Sequence, residues 1–543
     1  MTETKPMISD LNIRIDPDLC FACGVCVDRC IMDNLRLAMA PCRQACPLNL
    51  NCQGYVRLLA QGKGEEAARE LRKHTPFGGI LARICSRPCE DVCERQAAQG
   101  DGAVNIRALK RYLTDSYAEI CYAPGEIAPQ TGQQAGVVGS GPAGLAAAYE
   151  LRSRGHEVTV FEAFDQPGGF LRQVIPAFRM PAQEVDKAVE LLEKMGVEFR
   201  TGQALGRNLS LEGLESDFGA VVVAIGAGKA LELGVPGEDQ EDVVSGLGLL
   251  SRVRQGDAPD LRGRRVAVIG GGNTAVDCAI TCRRLGADQV TMICLEGPGQ
   301  MPAYAEELND AQDEGVNMAY AWAVRSLAPG FSGIELTLAR CLSVWDKSGR
   351  FSPQIEENGP LHSLEADLVV VAIGQEVETE LLPEEMQDKQ TGFLAGAAIT
   401  QQSPGRNRVL VCGDCLSGPS SMVHALASGK EAAISADRLL RGQDQTYNRD
   451  YYEVQGLVPE YQALAQRALG GPRTEAPRLE TSQRVLDKEW NQTLSAQAAK
   501  AEAERCLSCG RAFEFNQTCW YCLPCEIECP VQALEVRMPY QVR

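Results

Sequence analysis

Four cysteines, Cys20, Cys23, Cys26 and Cys30, follow the spacing Cys-x2-Cys-x2-Cys-x3-Cys, and the same spacing returns near the far end as Cys519, Cys522, Cys525 and Cys529. In such a run three thiolates wrap one [4Fe–4S] cube while the fourth points at another. Pro530 follows the second run as that pattern favours, whereas Ile31 follows the first. Zinc is the competing reading of paired Cys-x2-Cys, but zinc sites seldom pack four cysteines into one run. Further thiols stand at Cys42 and Cys46 (before Pro47), at Cys85, Cys89 and Cys93, and at Cys506 and Cys509. The chemistry expected of all fifteen is ligation of iron and one-electron transfer.

Composition agrees with ligands rather than staples. Of 23 cysteines, ten lie between Cys20 and Cys93 and six between Cys506 and Cys529. The N-terminus MTETKPMISD lacks the charged start and apolar run of a signal peptide, so a cytoplasmic chain with reduced thiols is expected. Four histidines leave little for a His-based site, no apolar stretch approaches the ~18 residues of a membrane span, and a net charge of −19 disfavours nucleic acid. At 543 residues the chain should hold several domains.

Between the cysteine-rich ends, apolar runs, glycine turns and helical stretches alternate as in an α/β protein with parallel sheets. An approximate repeat is present: Gln134 to Ala163 and Arg265 to Glu296 share the order strand, glycine turn, helix, strand, acid. The first turn is Gly139-x-Gly141-Pro142-Ala143-Gly144, with Glu162 closing the second strand; the other is Gly270-x-Gly272-Asn273-Thr274-Ala275, closed by Glu296. Small residues permit the tight turn, the approach of a pyrophosphate and close helix packing, while the acid accepts ribose hydroxyls. Glu296 would repel a 2′-phosphate, which favours NADH over NADPH; the alternative is that Glu296 faces solvent and Arg283 or Arg284 takes the phosphate.

Val158 to Pro181, the segment GGGNTAVDCA and Val409 to Lys430 together closely resemble the glutamate synthase small-subunit-like oxidoreductases, and the resemblance covers most of residues 41 to 442. It implies FAD in the first unit and a nicotinamide in the second, with the NAD domain inserted in the FAD domain. It further implies that Gly168, Gly169 and Arg179 lie near the flavin, that Gly413 and Asp414 return beside it, and that Ala224-Ile225-Gly226 and Ala372-Ile373-Gly374 mark the crossovers. Similar NADPH users tend to carry Tyr-Arg-Arg where this chain has Cys294-Leu295-Glu296. Cys412 and Cys415 have the spacing of a redox dithiol, but relatives hold small apolar residues there, so packing is expected, as for Cys278 and Cys282.

The same resemblance implies a helical iron–sulfur domain in which Cys46, Cys85 and Cys89 share one cluster and Cys42 and Cys93 another. The second is completed by an upstream Cys-x2-Cys, a task for which Cys20, Cys23, Cys26 and Cys30 compete. Lys110 stands where some relatives place a non-cysteine ligand; being a poor ligand for iron, it could be replaced by Cys30, while Cys52 is expected to be structural. The stretch EAERCLSCG before the second run resembles a C-terminal extension of some family members, its six cysteines serving one cluster. Fifteen ligands allow three clusters, and four only with Cys52 or a non-cysteine ligand.

The expected domains are a ferredoxin-like segment over 1–40, the helical iron–sulfur domain over 41–133, and the FAD domain over 134–250 and 366–442. The NAD domain takes 251–365, a linker 443–500 and a small ferredoxin-like domain 501–543. Hydride exchange between cofactors needs no protein nucleophile, so no catalytic acid or base is assigned. The expected function is an NAD(H)-linked electron-transfer subunit of a hetero-oligomer. Its partner would be a catalytic oxidoreductase subunit of aldehyde, formate, hydrogenase or aromatic-ring reductase type, or a ferredoxin. The alternatives are the glutamate synthase small subunit itself and a flavin-based electron-bifurcating subunit.

Overall fold

Apolar runs without polar alternation, such as Ala220–Val223 and Leu368–Val371, suit strands buried on both faces, and each occupies the interior of a five-stranded parallel sheet. The computed structural model describes residues 12–16, 18–379, 382–447, 449, 471–515 and 519–537. The expectations for 1–11, 450–470 and 538–543 lie outside these. The chain divides into two units: Met1–Ala123, Asn448–Pro477 and Thr493–Arg543 form one, Pro124–Tyr447 and Arg478–Gln492 the other. Among the described residues no helix is long and apolar enough to cross a membrane.

In the larger unit the first sheet runs, in spatial order, Val409–Val411, Ala220–Val223, Gln134–Val138, Glu157–Phe161 and Glu198–Arg200. The second runs Asn317–Tyr320, Gln289–Cys294, Arg265–Ile269, Leu368–Val371 and Val243–Ser245. The inserted sheet thus reaches from Val243 to Val371, wider than the expected 251–365. Its two crossovers pair antiparallel, Lys229–Ala230 against Gln375–Glu376. An antiparallel sheet built on Ile334–Trp345 lies within the insertion and was not foreseen.

Part of the stretch expected to be a linker is packed instead. Trp490 is only 2% exposed, joins the core of the inserted domain, and stacks on Phe178 with ring centres 4.3 Å apart. Arg484 anchors the same segment through Glu314 at 3.0 Å. The signal was one tryptophan in a polar stretch, too little for periodicity to reveal.

The smaller unit joins the two ends of the chain. Ile13–Ile15 pairs antiparallel with Leu534–Val536, and Leu35–Ala38 with Arg511–Glu514. The segments expected as separate ferredoxin-like domains therefore form one lobe. The rest is helical: Gly64–His74 and Cys52–Ala60 pack together, and Ala496–Glu504 lies against Cys52–Ala60 and Ile106–Ser116. That last helix is held by Glu502, which accepts from the amides of Asn105 (2.8 Å) and Thr474 (2.7 Å).

Candidate functional site

The two nucleotide turns are built alike. The Gly139 amide donates to the Phe161 carbonyl (2.7 Å) and the Gly270 amide to that of Ile293 (2.9 Å); Ala224 and Ala372, the first residues of the repeated Ala-Ile-Gly, donate to Val138 and Ile269, each at 2.8 Å. Each turn then opens a helix, Pro142–Ser153 or Asn273–Arg284, with its free N–H groups at the turn. A side chain at Gly144 would overlap the Gly139 carbonyl oxygen, whereas nothing lies within 4 Å of where one would stand at Gly141 or Gly272. Thus the third small residue of the first motif packs the helix on its loop, and the middle glycines leave room for a ligand.

The acids sit where the motif requires. Glu162 accepts from the Ser140 amide (2.9 Å), the Ser140 hydroxyl and the Phe164 amide (3.0 Å). Glu296 is 8% exposed and its carboxylate lies beside Gly271, the counterpart of Ser140. Arg283 is committed to the carbonyls of Glu314 (3.0 Å), Ala287 and Asp288, and Arg284 to Glu314 and the carbonyls of Arg484 and Thr481.

Gly413 closes on the first motif: a side chain there would stand 2.8 Å from the Ala143 methyl, and its amide donates to the Ser428 hydroxyl at 2.9 Å. Burial pushes the neighbouring Asp414 carboxyl up, opposed by hydrogen bonds from the Ser420 hydroxyl (2.8 Å) and amide (3.2 Å). Gly169 stands against Gly141, and the Gly168 amide donates to the Ser140 hydroxyl at 2.8 Å. Arg179 pairs with Asp277 on the helix of the second nucleotide turn and with Glu307 at 3.2 Å. Burial pushes the Cys415 and Cys282 thiols up to about 12 and the Cys412 and Cys278 thiols well above their ordinary range, which suits packing rather than thiolate chemistry.

In the smaller unit the end-lobe is internally duplicated at an offset of 499 residues. Left-handed Ala22 matches Tyr521, Gly24 matches Leu523, and Asp33 matches Gln532. The Cys30 sulfur accepts from the Asn34 amide and the Cys529 sulfur from the Ala533 amide, both at 3.2 Å. Cys20, Cys23, Cys26 and Cys529 line one cavity, while Cys30 neighbours Cys519 and Cys525. Each run therefore lends its fourth cysteine to the other, so neither end makes a complete set alone.

The helical part brings together two further sets. Cys42, Cys52, Cys93, Cys506 and Cys509 line one cavity, so Cys506 and Cys509 stand beside Cys42 and Cys93, where Cys20, Cys23, Cys26 and Cys30 were expected to compete, and not with the C-terminal run. Cys30, expected as a replacement for Lys110, neighbours Cys519 and Cys525 instead. Cys46, Cys85 and Cys89 gather around Lys110, with Cys52 adjoining; the hydrogen bond from Cys52 holds the Cys46 thiol below its ordinary range. Among the described residues no three His, Cys, Asp or Glu side chains converge tightly enough for a single metal ion.

Residues 134–429 match the family "Pyridine nucleotide-disulphide oxidoreductase", and residues 20–121 match "Dihydroprymidine dehydrogenase domain II, 4Fe-4S cluster". The NADP(+)-dependent formate dehydrogenase subunit beta of Moorella thermoacetica is 32% identical, over 87% of this chain and 71% of its own length. The glutamate synthase [NADPH] small chain of Azospirillum brasilense is 33% identical, over 72% and 84%. The chain belongs to the glutamate synthase small-chain-like FAD and pyridine-nucleotide oxidoreductases. Another member, the NAD-dependent dihydropyrimidine dehydrogenase subunit PreT of Escherichia coli, is 30% identical, over 74% of this chain and 92% of its own. Mycobacterium tuberculosis FprA, solved in complex with NADPH, shares the fold of the family's nucleotide-binding part: TM-score 0.50, 20% identity, 58% of this chain and 85% of that one.

Members of this family are FAD-dependent oxidoreductases with iron–sulfur domains, and the residues present fit both groups. The open space at Gly141, the helix N-terminus behind it and the Glu162 carboxylate suit the pyrophosphate and ribose of FAD. The sets of thiols suit a four-iron cube, which seats its cysteines farther apart than one ion does.

Proposed function

We propose that the chain is the NAD(H)-linked electron-transfer subunit of a larger cytoplasmic oxidoreductase, and that it exchanges electrons with a partner catalytic subunit through [4Fe–4S] clusters. When bound, FAD accepts two electrons as hydride and releases them singly, and clusters carry one at a time. The observation that carries the reading is the duplicated lobe. Its eight cysteines, in two sets that borrow from each other, would hold two one-electron carriers that hydride exchange alone does not need. Cys42, Cys93, Cys506 and Cys509 would hold a third.

The chain's own residues bind and align. Gly139, Gly141, Pro142, Ala143 and Gly144 would cradle the FAD pyrophosphate, Glu162 its ribose, and Gly413 and Asp414 would close over it. Gly270, Gly272, Asn273, Thr274 and Ala275 would do the same for the nicotinamide nucleotide. The names of relatives point to both NAD and NADP, so the choice of NADH rests on this chain: Glu296 stands at the strand end, and both nearby arginines are engaged elsewhere. The name of the Moorella relative supports a formate-type partner.

The test is anaerobic purification from the native cells, with mass-spectrometric identification of stoichiometric partners and stopped-flow reduction by NADH and NADPH. A metal- or cluster-containing dehydrogenase subunit and NADH-driven bleaching support the proposal. A glutamate synthase large subunit overturns it, and so does a chain with full FAD and iron that neither nucleotide bleaches. A chain that emerges alone and is reduced by NADH replaces the catalytic subunit with a free ferredoxin.

A further inference from the structure

Cys52 opens the helix Cys52–Ala60, 1% exposed, with its thiol in hydrogen-bonding reach of those of Cys42, Cys46 and Cys89. Its place is fixed by Asn51, whose side chain caps the helix through the Gly54 amide (3.1 Å) and donates to Glu70 at 2.7 Å. Cys52 also lines the cavity shared by Cys42, Cys93, Cys506 and Cys509, but those four already make a full set without it. Cys46, Cys85 and Cys89 are one thiolate short of a cube.

Two further groups bear on that shortage. Lys110 is 2% exposed and is surrounded by Cys46, Cys52, Cys85 and Cys89. An ammonium ion buried among neutral thiols would lack a counter-charge. Four thiolates around a [4Fe–4S]2+ core carry a net charge of −2, which supplies one. A charged lysine has three donors and no lone pair for iron, so it suits the shell around a cluster rather than its ligand set. The second group is Tyr55, whose buried hydroxyl lies in hydrogen-bonding reach of Cys52 and near Cys46 and Cys89. An O–H donor pointing at sulfur is what a cluster's outer shell provides.

We propose that Cys52 is the fourth thiolate of a [4Fe–4S] site with Cys46, Cys85 and Cys89, and that Lys110 is its buried counter-ion. The proposal rests on the iron–sulfur reading above and corrects the expectation that Cys52 only packs. Its test is iron, sulfide and flavin content of the anaerobically reconstituted full chain, with electron paramagnetic resonance of the reduced protein. The wild type should carry about 16 iron atoms, and Cys52→Ala about 12 with its FAD content unchanged. Cys52→Ser, which keeps volume and an oxygen ligand, should retain iron but change the resonance of one cluster. Lys110→Met should retain about 16 iron atoms and make one cluster harder to reduce.

Full iron and an unchanged spectrum in Cys52→Ala overturn the proposal. So does a wild type with about 12 iron atoms, which would leave the other three clusters standing. Loss of about four iron atoms from Lys110→Met would make the lysine a ligand and also overturn it. A wild type that binds no iron would instead refute the iron–sulfur reading itself.

Discussion

The two nucleotide-binding halves share the backbone hydrogen bonds that hold their turns and crossovers yet differ in how tightly they are built. In the first, Gly144 leaves no room between helix and loop; in the second, Ala275 fits a methyl into the same place. In the first the acid is tied down by Ser140, whereas its counterpart Glu296 lies over a bare glycine. The first half also reaches into the second: Val174 and Phe178 join its core and Arg179 pairs with its helix. A rigid half suits a cofactor that stays, and a roomier one suits a nucleotide that comes and goes.

The largest test of that asymmetry is Arg179→Met. Removing one partner of a buried pair leaves the other charge uncompensated, so a loss of about 4 kcal/mol is expected, read as a lower denaturation midpoint. Arg179→Met with Asp277→Leu should recover most of it; no recovery would mean that Glu307 holds the arginine instead. Next is Gly144→Val, whose side chain would meet the Gly139 carbonyl. The protein should lose its flavin absorbance and about 3 kcal/mol of stability, and retention of full FAD would remove the contrast between the halves.

Glu296→Arg should shift the kcat/KM ratio from NADH toward NADPH by about 100-fold, some 2.7 kcal/mol. An unchanged ratio would mean that Glu296 does not face the ribose. The smallest effect belongs to Ala275→Gly, about 1 kcal/mol with nicotinamide use nearly intact, measured by thermal unfolding and steady-state kinetics. If it matched Gly144→Val, the two helices would be equally constrained.

The nucleotide-binding folds were legible because their signals are local: strand, turn, helix and acid fall within about 30 residues of one another. The cysteine runs were legible one at a time. That they form one lobe was not, because its strands are three or four residues long and pair across nearly the whole chain. The signal that could have found it is the repeat itself: Cys20 to Cys30 and Cys519 to Cys529 keep identical spacing, each followed four residues after its last cysteine by an alanine or asparagine and then a leucine. The grouping of Cys506 and Cys509 with Cys42 and Cys93 was missed for the same reason, since the helix Ala496–Glu504 carries them to the N-terminal helices. The pairing of Arg179 with Asp277 and Glu307 was not legible either, because both carboxylates lie 98 or more residues away in the sequence.

The division of the lobe between chain ends sets a timetable for synthesis. A ribosome needs about 25 to 100 s to travel the 499 residues from Cys20 to Cys519. Throughout that interval Cys20, Cys23 and Cys26 wait without Cys529, and Cys30 waits without the set it will join. The clusters proposed for the lobe could therefore be completed only after the second run has been made.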